Sequence, residues 1–320
     1  MRDFHCPVCG QRLIFENSLC LSCNSNLGFD LSSRQLVPVG DHAMCANLHV
    51  ARCNWLTTPD EPLCPSCRLT ITRPADSDAD AIEAFADAEQ AKRRLILELT
   101  ELGLSIVGRD ADPAWGLGFD LLSSATEKVT TGHFNGVITL DLAEGDDVHR
   151  EQMRVEMAEP YRTLLGHFRH EIGHYYFGVL IYGPDRNNRF FQLFGDANED
   201  YQTALDRHYQ QGPPADWDSS FVSAYASMHA AEDWAETFAH YLHIRDTLDT
   251  ASAFGFSPSG ITLGRRDVTI GEIISQWIPL VWGLNQVNRS MGHPDLYPFV
   301  LADPVVEKLG FVHEVIRNST

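Results

Sequence analysis

Between residues 77 and 102 the apolar positions Phe85, Ala88, Ala91, Leu95, Leu99 and Leu102 recur at steps of three and four. That spacing predicts one amphipathic helix, and Ser77 or Asp78 stands where a capping side chain would close its first turn. The period then shortens. Residues 117–123 and 133–144 read as strands, the second alternating Val137, Thr139 and Asp141 against Ile138, Leu140 and Leu142. Helical spacing returns over about 160–178, where Pro160 suits a first turn and Leu164, Leu165, Phe168, Ile172 and Tyr176 form the apolar side. Further helices are expected at 196–210, 219–247, 269–290 (kinked at Pro279) and 303–317. A strand-containing middle followed by helices is an α+β arrangement.

Residues 1–74 follow neither period. They hold all eight cysteines, few long apolar runs and several turn signals. So short a stretch buries little core by itself, which predicts a small module stapled by metal. Two domains are therefore expected: a zinc-ribbon module over 1–74 with two four-cysteine zinc sites, and a larger domain over 75–320. Cys6, Cys9, Cys20 and Cys23 form two Cys-x-x-Cys knuckles ten residues apart. Four thiolates complete the tetrahedral shell that zinc favours. The second quartet, Cys45, Cys53, Cys64 and Cys67, has one knuckle only, so His42 or His49 competes for a place in it. A four-thiolate shell leaves no open position, and both sites are expected to be structural.

Composition narrows the classes. The chain has 320 residues, 44% hydrophobic and 21% charged, as in ordinary globular proteins. Its net charge is −20, and residues 1–74 balance six Lys/Arg with six Asp/Glu, so no nucleic acid is expected as a partner. The first residues lack the apolar run of a secretory signal, and no segment approaches the length of a membrane span. A cytoplasmic location follows as the expectation. In that reducing compartment, paired cysteines favour metal over disulfides.

The stretch "GHFRHEIGHYYFG", residues 166–178, carries a His-Glu-x-x-His. Residues four apart share a helix face, so His170 and His174 can chelate one ion, with Glu171 beside them as general base. The motif is short, and His167 one turn earlier shows that histidines without this role occur here. The long metzincin pattern would require Gly at 177 and His at 180, where the chain has Phe177 and Leu180. A third ligand must then come from a later helix, and "HAAEDWAETFAHYLH" over 229–243 offers Glu232 and Glu236 on one face, with Asp233 off it. One glutamate would bind metal while the other hydrogen-bonds a ligating histidine. The Glu-x-x-Ala-Glu pattern resembles the third-ligand helix of gluzincin metallopeptidases, which favours Glu232 as ligand and Glu236 as its support. Candidate oxyanion donors are His208, Tyr209, Tyr225 and His240, unranked. The strand "GVITLDL" is expected to line the cleft and pair with an extended substrate. Asn285, Asn288 and Arg289 read as caps or loop anchors before cleft residues.

The phrases "CPVCG", "CNWL" with "CPSCR", "RHEIGHYYF", "ALDRHY", "EDWAETFAHYLH" and "NRSMGHPDLYPFVL" extend from Cys6 nearly to the end of the chain. Together they resemble the bacterial zinc-binding metallo-peptidase family that carries an N-terminal zinc ribbon. The resemblance implies a gluzincin-like fold with His170 and His174 on zinc and Glu171 as base. The expected activity is zinc-dependent hydrolysis of a peptide or isopeptide bond in a peptide or protein substrate, with one catalytic and two structural Zn2+. The alternative is a non-catalytic zinc-binding interaction module on a degenerate peptidase fold.

Overall fold

The computed structural model describes residues 2–125, 128–146, 163–257, 262, 264 and 267–319. Contacts divide the chain into two compact units: Met1–Thr100 with Ile106–Gln152 and Thr163–Leu165, and Glu101–Ser105 with Met153–Arg162 and Gly166–Thr320.

The first unit begins with three short antiparallel pairs: β1 (Phe4–His5) with β2 (Arg12–Leu13), β3 (Leu27–Asp30) with β4 (Gln35–Pro38), and β5 (Ala43–Met44) with β6 (Leu56–Thr57). Phe4, Phe15, Phe29 and Trp55 fill the space among them, with ring centroids 4.7 to 6.3 Å apart. This aromatic knot is the apolar core that so small a module can make. Strand β7 (Thr70–Thr72) then joins a four-stranded sheet ordered β7-β8-β10-β9, with β8 at Gly118–Leu122, β9 at Gly132–Phe134 and β10 at Val137–Asp141. Helix α1 (Ala79–Glu101) starts where Asp78 accepts from the Ala81 amide, and it buries Phe85, Ala88, Leu95 and Leu99. It also grips the cysteine module: Arg93 donates to the Ala51 carbonyl at 3.0 Å, and Arg94 pairs with Glu16 at 2.7 Å.

The expected strand over 133–144 is instead a hairpin. Asn135 and Gly136 both take positive φ, 47° and 84°, so Val137 pairs back onto Phe134 across a two-residue turn. Strand β10 is hydrogen-bonded on both sides, parallel to β8 and antiparallel to β9. Its ladder is spent within the sheet, which removes the expected pairing of "GVITLDL" with an extended substrate.

The second unit is helical. Helix α2 (Leu164–Leu180) carries the His-Glu-x-x-His and buries Phe168, Ile172 and Tyr176. The expected start at Pro160 lies outside the described residues. Helix α3 (Pro184–Phe194) was not anticipated; Pro184 in its first turn and an aromatic face of Phe190 and Phe194 account for it. Helix α4 (Tyr201–Gln211) is capped by Asp200, whose side chain accepts from the Thr203 amide. Helix α5 begins at Ala230, not 219, and runs to Ala253. Residues before it form two 3-10 turns, and the His229 ring accepts from the Ala231 amide to cap it. Helix α6 (Ile270–Ser290) opens on a capping box of Thr269 and Glu272 and continues through Pro279. Helix α7 is Asp303–Arg317.

Trp234 of α5 is the hub. It contacts the rings of Phe177, Phe190, Phe194 and Phe311 at centroid distances of 5.8 to 6.2 Å, and its Nε1 donates to the Gly173 carbonyl at 2.8 Å. A side chain at Gly173 would meet Ala235 Cα at 3.0 Å, so only glycine lets α2 and α5 approach this closely. Asn285, Asn288 and Arg289 of α6 all bind the loop before α7, Asn285 through two hydrogen bonds to the Tyr297 backbone.

Candidate metal centre

The close crossing of α2 and α5 brings their polar faces together at one point. His170 and His174, one turn apart on α2, present Nε2 atoms 3.2 Å from each other. Glu232, in the first turn of α5, sets Oε2 at 3.0 Å from the first and 3.4 Å from the second. A tetrahedral zinc with bonds of about 2.0–2.1 Å keeps its ligand atoms about 3.3 Å apart. The three residues therefore fit a zinc ion as they stand. Glu232 Oε2 is buried, and among the described residues no donor makes a hydrogen bond to it. Two imidazole nitrogens and one carboxylate oxygen converging on one place form a donor set that suits a divalent cation.

Electrostatics agree. Burial alone would raise the Glu232 carboxyl, yet the charges of His174 and His170 beside it hold it well below the ordinary carboxylate range. Burial alone would lower His170, yet Glu232 and Glu236 pull it well above the ordinary imidazole value. The cluster has negative charge to spare.

His170 and Glu232 are each held from behind. Glu236, one turn after Glu232, accepts from His170 Nδ1 at 2.7 Å, and Ser223 donates to its other oxygen at 2.6 Å. Burial opposes ionisation of Glu236, but the His170 hydrogen bond outweighs it and keeps the carboxyl at about 2. A carboxylate on Nδ1 fixes the tautomer that leaves Nε2 as the lone pair. Glu232 Oε1 accepts from the Tyr201 hydroxyl at 2.9 Å. Asp233 faces away and forms an ion pair with Lys308 of α7 at 2.6 Å. Glu171 is 8% exposed, and its Oε2 has no hydrogen-bond partner among the described residues.

The four candidate oxyanion donors separate. The Tyr225 ring packs 6.1 Å from that of His170, and the His208 ring lies 6.0 Å from that of Tyr225. Tyr209 is 66% exposed. His240 hydrogen-bonds Tyr297 at 2.6 Å and sits edge-on to Phe299. A cavity of about 360 Å3 opens beside His208 and Met228. Tyr201, Ser223 and His229 were absent from the sequence reading. A lone tyrosine or serine carries no spacing signal; only Asp200, as a helix-start residue, marks the place.

The two cysteine quartets also gather. Cys6, Cys9, Cys20 and Cys23 form one group and Cys45, Cys53, Cys64 and Cys67 the other, without His42 or His49. Sulfur pairs stand 3.7 Å apart for Cys6 and Cys23, and 3.6 Å for Cys9 with Cys20 and for Cys53 with Cys64. Zinc–sulfur bonds of about 2.3 Å require about 3.8 Å.

Residues 81–315 match the model of a family described as "Putative zinc-binding metallo-peptidase", and residues 3–78 match that of a zinc-ribbon domain. The chain is 64% identical to an uncharacterized protein of Mycobacterium bovis and equally to one of Mycobacterium tuberculosis. Each alignment covers 99% of this chain and 95% of the relative. No solved structure matches it. The two family matches meet between residues 78 and 81, and by them the chain belongs to this zinc-binding metallo-peptidase family and carries an N-terminal zinc-ribbon domain.

Proposed function

We propose that this chain is a zinc-dependent hydrolase of peptide or isopeptide bonds, acting in the cytoplasm on a peptide or protein substrate. The observation that carries the reading is the convergence of His170 Nε2, His174 Nε2 and Glu232 Oε2, with Glu171 adjacent in sequence and its Oε2 buried without a hydrogen-bond partner among the described residues. In this reading those three residues hold one catalytic zinc, and the cysteine quartets hold two structural ones. When bound, the catalytic zinc supplies a Lewis acid that polarises the scissile carbonyl and lowers the pKa of water to about 7.

The chain's own residues do the rest. Glu171 takes the proton of the attacking water and passes it to the leaving amine. Glu236, steadied by Ser223, keeps the His170 ring in the tautomer that faces the metal. Tyr225 and His208 form a line of rings ending on His170, so this reading keeps them as candidates for the oxyanion donor. The net charge of −20 weighs against nucleic acid as a partner. Among the described residues no helix is long and apolar enough to cross a membrane.

Elemental analysis of protein purified without added metal tests the reading. Three zincs per chain are expected, one for each ligand group, falling to two in His170→Ala. Glu171→Gln should keep all three while turnover of a peptide library falls by about 10²–10⁴. Two zincs in both the unmodified protein and His170→Ala would remove the reading and leave a zinc-binding interaction module in its place.

A further inference from the structure

Glu232 has two carboxylate oxygens, and the structure treats them differently. Oε2 faces the two imidazole nitrogens at 3.0 and 3.4 Å, while Oε1 accepts from the Tyr201 hydroxyl at 2.9 Å. Tyr201 is itself held by a chain of contacts. The neighbouring Tyr225 packs its ring against His170. The Tyr201 ring lies edge-on to His229 at 5.4 Å. His229 in turn joins the starts of two helices: Nδ1 accepts from the Ala231 amide at the head of α5, and Nε2 meets the Glu199 carbonyl at 3.1 Å just before α4. Because Nδ1 is an acceptor, Nε2 carries the proton and donates. The helix that supplies Tyr201 and the helix that supplies Glu232 are thus pinned together at their first turns.

We propose that Tyr201 is a positioning residue of the metal centre, whose hydroxyl occupies Glu232 Oε1 and so leaves Oε2 as the one oxygen of that carboxylate offered to the metal. This rests on reading His170, His174 and Glu232 as the ligand set. A carboxylate without that bond turns about its terminal torsion, which is broad and two-fold, and loses the preference for one oxygen. Hydrogen bonds that orient a ligand from behind are worth 10–100-fold in metal affinity. Tyr201 thereby does for the glutamate what Glu236 does for His170.

The test is Tyr201→Phe, which removes the hydroxyl and keeps the ring against His229, beside Tyr182→Phe as an exposed control. In the full chain, zinc affinity of the His/Glu site is measured by chelator competition, and the site is loaded with Co2+ for its visible absorption spectrum. Far-UV circular dichroism and urea unfolding report that each variant is folded. Tyr201→Phe should weaken zinc at the His/Glu site at least tenfold and change the cobalt spectrum, with Tyr182→Phe unchanged. Unaltered affinity and spectrum in Tyr201→Phe would overturn the proposal, since a packing role survives in phenylalanine. Absence of metal from the His/Glu site in the unmodified protein would overturn the ligand reading and the proposal with it.

Discussion

Gly173 and Ala235 touch backbone to backbone where α2 crosses α5: a Cβ on the glycine would stand 3.0 Å from Ala235 Cα and 3.1 Å from its carbonyl oxygen. Neither obstacle is a side chain that can swing aside. Gly173→Ala should therefore cost about 1–3 kcal/mol of stability, read as a lower urea midpoint. It should also weaken zinc at the His/Glu site, because the histidines and Glu232 sit on opposite sides of that crossing. Stability and zinc content equal to the parent protein would show that the crossing relaxes freely.

Glu236→Gln keeps the shape of the side chain and removes the charge that His170 Nδ1 meets at 2.7 Å. Affinity for zinc at the His/Glu site should drop about 10–100-fold with both cysteine sites intact. Because the Glu236 carboxyl is held at about 2, its contribution should persist through mildly acidic buffers. A chelator titration superimposable on that of the parent would refute this.

His240 makes a prediction in pH. Burial pushes its imidazole down to about 4, with the Glu236 charge opposing. In the unfolded chain the same ring takes a proton near 6.5. The unfolded state therefore binds protons that the folded state refuses, and stability falls as pH drops. The contribution is complete above about 6.5 and drains away between about 6.5 and 4, amounting to about 2 kcal/mol at pH 5. His240→Asn, compared with the parent by urea unfolding at pH 7 and pH 5, should show the smaller loss on acidification. Equal losses would rule out this ring as the source.

Gly136 closes the β9–β10 hairpin at φ 84°, and a Cβ there would lie 2.4 Å from the Trp115 carbonyl oxygen. Gly136→Ala meets both a left-handed backbone and a rigid neighbour, so a loss of about 1–3 kcal/mol is expected by denaturant unfolding. Unchanged stability would mean that the turn is remade in another form.

Much of this was readable from spacing. The three-and-four steps of residues 85–102 mark α1, and Asp78 does cap it. The four-residue intervals from His170 to His174 and from Glu232 to Glu236 put each pair on one helix face, and the folded chain turns those faces toward each other. What spacing misses is what depends on the third dimension. Helix α3 was overlooked because its aromatic face makes sense only against Trp234. The Asn135-Gly136 turn was overridden by an alternating pattern that runs through both strands. Tyr201 and Ser223 come from segments outside the motifs they support, His229 stands at the edge of one, and a single polar residue gives no period to detect.

The ion pair between Asp233 and Lys308 spans 75 residues of sequence. A ribosome that has just finished α5 has already supplied both histidines, Glu171 and Glu232. Beside them it has also supplied Asp233, a carboxylate that must be buried and still lacks its cation. Burial pushes the Asp233 carboxyl up to about 7 even with the Lys308 charge opposing, so before α7 is in place this side chain can be buried only as the neutral acid. The helix that carries Glu232 thus draws part of its electrostatic support from α7, the last helix described.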